Sequence, residues 1–240
     1  MRALAITYED DAGPGVFIDA FDAKGANLDV WLRTETPEPP ADAASYDAIL
    51  CFGGSMHVDQ EDEHPWLLED QRLLAELTAA GMPVMGVCLG AQLLTRALGG
   101  EVRKLERPEI GWFEIQPSGA AASDPLLAPF SGQPFMGFGW HSFECLLPAG
   151  AVELARSDSC LQAYRRGELT WAIQFHPEVT IEDAEAWIRY YAEKDEGDDE
   201  YVLDPEGLLA ETRERIGAWS EIGRVLCERF LDAVRAPTRA

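Results

Sequence analysis

Residues 83–92 read Pro83-Val84-Met85-Gly86-Val87-Cys88-Leu89-Gly90-Ala91-Gln92, and the rest of the chain is best read outward from them. Val84 to Val87 form a short apolar run of the kind buried inside a sheet. The following segment, 89–98, has helical character and is closed by Gly99-Gly100. A buried strand therefore passes through Gly86-x-Cys88-x-Gly90 straight into a helix, a nucleophile elbow with cysteine in place of serine. The two glycines allow the sharp turn and the close approach of neighbouring elements. The turn puts Cys88 at the carboxyl end of a strand and at a helix N-terminus, where backbone N–H groups and the helix dipole favour negative charge on sulfur. The Leu89 N–H then points at any oxyanion formed when that sulfur attacks a carbonyl. Taken alone the motif is short, and a buried cysteine in a strand-to-helix turn explains it equally well.

The flanking pattern defines the fold class. Segments 3–7, 28–32 and 48–52 read as strands, and 16–23 and 65–80 as helices, with Pro65 suited to a first helical turn. Pro37, Pro39 and Pro40 make 34–45 a loop. This alternation predicts an α/β fold with a mostly parallel central sheet and helices on both faces. Further on, 101–105, 112–116, 134–140, 152–157, 161–165 and 170–175 read as short strands separated by turns, an antiparallel extension of the sheet. Helices are expected at 181–194 and 205–234, with a solvated acidic loop at 195–200 between them. The expected organisation is a catalytic domain over 1–180 and a helical extension over 181–240 packed on it.

A second motif supplies a base. Trp171-Ala172-Ile173-Gln174-Phe175-His176-Pro177-Glu178 is a strand ending in His176, and Pro177 keeps His176 extended. In an extended segment residues two apart point the same way, so Glu178 is placed to hold the His176 imidazole. Cys88, His176 and Glu178 then form a thiol nucleophile, a base and an orienting carboxylate. A lone His-x-Glu is more often a surface pair, but its place after an apolar strand and its company with GVCLGAQ argue for chemistry.

These residues resemble the class I glutamine amidotransferases, whose nucleophile motif is G-x-C-x-G-x-Q and whose second motif is H-P-E. Cys51-Phe52-Gly53-Gly54-Ser55 is similar to the strand and Gly-Gly loop of that family. The run from Gly53 to Gln92 looks nearest to stand-alone members similar to the GMP synthase amidotransferase domain, a group to which the plant γ-glutamyl peptidases are related. The resemblance implies a flavodoxin-like sheet and attack by Cys88 on the side-chain carbonyl of glutamine or another γ-glutamyl compound. It implies proton transfer by His176, orientation by Glu178, and an oxyanion hole from the amides of Leu89 and Gly54 or Gly53. It implies that Gln92 binds the amino and carboxylate end of the glutamyl group, and that no metal or other cofactor is needed.

Trp140-His141-Ser142-Phe143-Glu144 departs from the family, whose members often carry a W-H-G-D-like segment beside the glutamyl pocket. Ser142 and Phe143 replace the Gly-Asp pair, so Glu144 or an acid within 59–63 is a candidate substitute. This puts plain L-glutamine in doubt as the preferred substrate. His141 is read either as lining the pocket or as a hydrogen-bonded structural histidine. His57 and His64 flank the acidic run 59–63, but their spacing matches no metal-ligand pattern, and a solvated loop is the better reading.

The 240 residues carry 43 acidic and 19 basic side chains, a net charge of −24. Such a chain lacks the basic footprint of a nucleic-acid binder and is repelled by anionic membranes. No signal peptide or membrane span is evident, and a cytoplasmic location is expected. The five scattered cysteines suggest neither disulfides nor a zinc site. These 240 residues leave no room for a synthase module and contain no GxxxxGK[ST] loop. The reading is a hydrolase that releases ammonia or an amine through a γ-glutamyl thioester. Its alternatives are a glutaminase subunit that feeds a separate synthase, and a non-catalytic binding or regulatory member of the fold. An apolar stripe on the last helix, including Leu208, Trp219 and Leu226, suits intramolecular packing, a homodimer or a synthase interface.

Overall fold

The run Ala3-Leu4-Ala5-Ile6 is buried on both of its sides. Ala3 and Ala5 face one core with Phe17 and Phe21, while Leu4 and Ile6 face a second core with Leu67, Leu74 and Leu77. Side chains alternate along a strand, so a strand covered on both faces must be apolar throughout. This computed structural model describes residues 1–193 and 204–236; the acidic loop expected at 195–200 lies outside the described residues.

Nine strands form one sheet among the described residues. They are β1 (Arg2–Thr7), β2 (Asn27–Leu32), β3 (Ala48–Cys51), β4 (Val84–Val87), β5 (Val102–Pro117), β6 (Phe135–Cys145), β7 (Ala151–Arg156), β8 (Leu161–Arg166) and β9 (Thr170–Ile173). Their spatial order is β2-β1-β3-β4-β9-β8-β7-β5-β6. The five strands from β2 to β9 pair in parallel, and from β9 to β6 the pairing is antiparallel. The α-helices are α1 (Phe17–Ala23), α2 (Trp66–Ala79), α3 (Leu89–Ala97), α4 (Ile181–Glu193) and α5 (Pro205–Arg235). Helices α2 and α3 cover one face of the parallel strands, and α1 and α5 the other. This is the α/β class expected from the sequence, with a flavodoxin-like parallel half.

Two elements differ from the sequence expectation. The segments 101–105 and 112–116 are not separate strands but the two ends of β5, whose pairing with β6 slips between Lys104 and Glu109. Pro108 falls within that slip, where no ladder hydrogen bond is lost by its missing N–H. Strand β6 also runs on to Cys145, five residues past the expected end at 140, so His141 to Glu144 lie within the strand. Its pairing with β5 extends the regular backbone past the glycines at 137 and 139.

Helix α3 presses directly on β3. A Cβ on Gly90 would lie 1.9 Å from the Cys51 carbonyl oxygen, and one on Gly86 would lie 2.5 Å from the Gly90 carbonyl oxygen. Both neighbours are backbone, so neither can rotate away. The Gly90→Ala protein is expected to lose about 3 kcal/mol of stability or more, because α3 must be levered off the sheet. Urea unfolding of the two proteins, compared at equal slope, measures this.

Candidate functional site

The carboxyl ends of the parallel strands meet in one cleft. Glu9 and Asp11 follow β1, Gly54 and Ser55 follow β3, Cys88 follows β4, and His176 lies just beyond β9. In open α/β sheets the crevice at these strand ends is where ligands bind. The cleft encloses about 490 Å³. Its far wall is aromatic, built by Trp140 of β6 and by Trp187, Tyr190 and Tyr191 of α4.

Cys88 has φ 52° and ψ −111°, and is the sole non-glycine residue with positive φ among the described residues. That conformation is sparsely populated for a residue with a side chain. The turn is pinned on both sides. The Cys88 N–H donates to the Ile173 carbonyl at 2.9 Å, and the Gly90 N–H donates to the Phe52 carbonyl at 3.0 Å. The Cys88 thiol lies 3.8 Å from the Trp140 carbonyl oxygen. All five cysteines are free. Burial pushes the thiols of Cys51 and Cys145 up to about 12, and raises those of Cys160 and Cys227 as well. Cys88 is the one cysteine lining the cleft.

His176 and Glu178 meet as the sequence pattern predicted, with Nδ1 and Oε1 2.7 Å apart and both side chains buried. The other imidazole nitrogen, Nε2, has no hydrogen-bond partner. A Cβ on Gly53 would sit 3.1 Å from His176 Cε1 and 3.6 Å from Cys88 Cβ, so glycine there keeps open the space between the two side chains. Burial works against a charged His176, but the carboxylate of Glu178 and the sulfur of Cys88 outweigh it and hold the imidazolium up to about 10. The backbone of the motif is held by α5. Trp219 Nε1 donates to the His176 carbonyl at 2.8 Å, and a Cβ on Gly223 would lie 1.9 Å from the Pro177 carbonyl oxygen. On the opposite side the Val16 N–H donates to the Glu178 carbonyl at 2.8 Å.

The remaining expected residues fall in different places. Gly54 lines the cleft beside Cys88. Leu89 is buried as the first residue of α3. Gln92 does not reach the cleft. Its Nε2 lies 3.4 Å from the Phe143 carbonyl and 3.2 Å from Gln174 Oε1, tying α3 to the neighbouring strands from behind. His141 also points away, because alternation along β6 turns it opposite to Trp140. Its Nδ1 is 2.9 Å from the Phe143 carbonyl and its Nε2 is 3.1 Å from Glu109 Oε2. Glu144 pairs with Arg103 at 2.6 Å, and Glu61 with Arg96 at 3.4 Å, so neither stands in the cleft in place of the absent aspartate.

Glu109, His141 and Cys160 bring ligand-type atoms within 4.8 Å of one another. The Glu109 carboxylate is already engaged there, accepting from Ser157 Oγ at 2.6 Å and Gln162 Nε2 at 2.5 Å. The cluster is a buried hydrogen-bonded carboxylate joined to a histidine, and none of its three residues lines the cleft.

Sequence reasoning missed Glu9, Asp11 and the aromatic wall. The run Tyr8-Glu9-Asp10-Asp11 sits at the carboxyl end of the first strand, the edge where such folds bind ligands, and that position was the available signal. The Glu9 carboxylate accepts from the Ser55 N–H at 2.9 Å and from the Ser55 hydroxyl, which fastens the Gly53-Gly54 loop beside Cys88. Trp187, Tyr190 and Tyr191 carried no signal, because a helix drawn from sequence has no stated neighbour.

Comparison with known proteins agrees with this geometry. The family model for glutamine amidotransferase class-I matches residues 16–189. The glutamine amidotransferase-like protein YfeJ of Salmonella typhimurium is 30 % identical over 195 residues, which cover 79 % of this chain and 81 % of that protein. The gamma-glutamyl-L-1-hydroxyisopropylamide hydrolase of a Pseudomonas species is 31 % identical, over 70 % of this chain and 62 % of that protein. The GMP synthase of Thermotoga maritima is 32 % identical over 63 % of this chain, and the match spans 28 % of the synthase. A glutamine amidotransferase structure from Methylobacillus flagellatus superposes with a TM-score of 0.88 at 26 % identity, over 99 % of this chain and 97 % of that one. The chain belongs to the class I glutamine amidotransferase family. No helix among the described residues is long and apolar enough to cross a membrane.

The raised His176 gives a pH prediction with a definite sign. A folded-state value of about 10 against the ordinary 6.5 stabilises the fold fully below pH 6.5, and that contribution is lost as pH rises through 10. Glu178→Gln removes the largest charge that holds His176 protonated. The melting temperature of Glu178→Gln should therefore fall furthest below wild type under pH 6.5, and the gap should narrow toward pH 10. Imidazole NMR of His176 should show its titration moving down in the same variant.

The grip of α5 on the motif gives a second prediction. Gly223→Ala forces the helix away from Pro177, so turnover by the folded protein should drop by about tenfold or more. Far-UV circular dichroism and a substrate assay on one sample separate this loss from unfolding.

Proposed function

We propose that this chain is a cysteine-dependent hydrolase of γ-glutamyl amides. The observation that carries the reading is the meeting of a strained Cys88 with a His176 whose Nε2 is unpartnered while Glu178 holds Nδ1. The family and the γ-glutamyl amide hydrolase among the relatives support amide hydrolysis in general.

In this reading the Cys88 sulfur attacks the γ-carbonyl carbon of glutamine or a related amide. The carbonyl π electrons move to oxygen, where the amides of Leu89 and of Gly54 or Gly53 stabilise the charge. The tetrahedral species collapses, the C–N bond breaks, and the His176 imidazolium gives its proton to the departing nitrogen. Ammonia or an amine leaves, and a γ-glutamyl thioester remains on Cys88. His176, now neutral, takes a proton from water as the water attacks the thioester. The C–S bond breaks, glutamate leaves, and Cys88 returns to a thiolate beside the His176 imidazolium. Glu178 keeps Nε2 directed at the sulfur throughout.

A γ-glutamyl diazoketone should label Cys88 in the native protein and leave Cys88→Ala unlabelled, as read by intact-mass spectrometry. Amine or ammonia release should fall by on the order of 10⁴-fold in Cys88→Ala. Absence of both labelling and turnover across glutamine, γ-glutamyl peptides and γ-glutamyl amines would leave the non-catalytic reading in its place.

A second reading is favoured by the GMP synthase relatives, of which the chain matches about a quarter. Here the chain delivers ammonia to a separate synthase. Steady, rapid ammonia release by the purified chain alone counts against that partner; slow release that rises on adding a synthase supports it.

A further inference from the structure

The mouth of the cleft has an unusual composition for a site that must receive a γ-glutamyl compound. Two carboxylates, Glu9 and Asp11, line it, and among the described residues no lysine or arginine does. Four aromatic side chains, Trp140, Trp187, Tyr190 and Tyr191, line it as well. The volume of about 490 Å³ lies within the range of roughly 300–1,000 Å³ that holds drug-sized ligands, and exceeds what free glutamine needs. The remaining room belongs to whatever is attached to the γ-carbonyl.

The charge of the attached group decides how a substrate meets this field. A glutamyl moiety with free amino and carboxylate groups is a neutral zwitterion. Attached to an amino acid it becomes a net anion, attached to a simple alkylamine it stays neutral, and attached to a diamine it becomes a net cation. A cleft edged by Glu9 and Asp11 on a chain of net charge −24 repels the first and attracts the last. Tryptophan and tyrosine faces supply a second attraction for an alkylammonium group, while their apolar surface covers its methylene stem. Carboxylates and aromatic rings without a cation are the parts of an ammonium site. The hydrogen bonds from Ser55 to Glu9 fix that carboxylate in place without neutralising it.

We propose that the aromatic and acidic end of the cleft is a leaving-group subsite for a cationic amine, so that the preferred substrates are γ-glutamyl amides of diamines or similar aminoalkyl compounds. This rests on the hydrolase reading above and adds the class of amine released. The reaction is unchanged: the C–N bond to Cys88-bound carbonyl breaks, His176 protonates the leaving nitrogen, and the free diamine departs with its second ammonium group untouched.

Three γ-glutamyl amides of near-equal length test it: those of diaminopropane, butylamine and β-alanine. They share the scissile bond and differ in terminal charge. With the full chain at low salt, kcat/KM should be about tenfold higher for the diaminopropane amide than for the butylamide, and about tenfold higher again than for the β-alanine amide. Raising the salt to about 0.5 M should compress both ratios, since carboxylates at a cleft mouth are screened. Asp11→Asn should cut the diaminopropane-to-butylamide ratio at least about threefold; a ratio is used because it is insensitive to a general loss of activity. If the three amides are turned over equally, or the β-alanine amide is preferred, the subsite is overturned while the hydrolase reading stands. If none is turned over and Cys88 is not labelled by the diazoketone, the hydrolase reading fails and takes the subsite with it.

Discussion

The turn at Cys88 is the constraint on which the rest of the structure depends. A residue with a side chain held at φ 52° and ψ −111° costs roughly 1–3 kcal/mol, and it persists only where its surroundings over-determine it. Those surroundings are visible. Gly86 lets the Gly90 peptide fold back against β4, and Gly90 lets α3 rest on the Cys51 carbonyl. The Ile173 and Phe52 carbonyls then hold the N–H groups on either side of Leu89. The buried faces of α3 and the strands beneath it supply the burial energy that offsets the strain. The result is a sulfur lifted into the cleft at the start of a helix, in a position no relaxed turn would give.

The second half of the site is assembled from more distant parts of the chain. His176 and Glu178 follow β9, the strand that pairs with β4, so the register Val87↔Ile173 carries the imidazole to the sulfur. Helix α5 then closes over this motif. Trp219 and Gly223 are one helical turn apart, and both touch its backbone, one by a hydrogen bond and the other by the absence of a side chain. Helix α4 contributes Trp187, whose ring meets the His176 ring edge-on at 5.0 Å. The two C-terminal helices thus participate in the geometry of the cleft and of its histidine.

Much of this was legible in the primary structure. The strand, elbow and helix over 84–98 could be read because hydrophobic period, paired glycines and a cysteine at a turn are all local features. The His176–Glu178 contact could be read because both lie in one extended segment. Placements that depend on which way a strand faces were not legible in the same way. His141 lies beside Trp140, and a single-residue step along β6 sends one to the cleft and the other to Glu109. Gln92 was placed by likeness to a motif, and its side chain instead spans from α3 to Phe143 and Gln174. The merger of two expected strands into β5 reflects pairing with β6, which a local pattern broken by Pro108 and Gly111 does not announce.

By itself the sequence determined the α/β alternation, the three residues proposed as nucleophile, base and orienting acid, and the glycines that make the turn feasible. These follow from short-range periodicity and from the steric demands of single residues. Only the tertiary structure decided what stands around that chemistry: Glu9 and Asp11 at one edge, an aromatic wall from β6 and α4, and α5 clamped on the His176 backbone. The reason is physical. A cleft is formed by elements far apart in the chain, and their mutual placement depends on pairing and packing energies that no single segment contains.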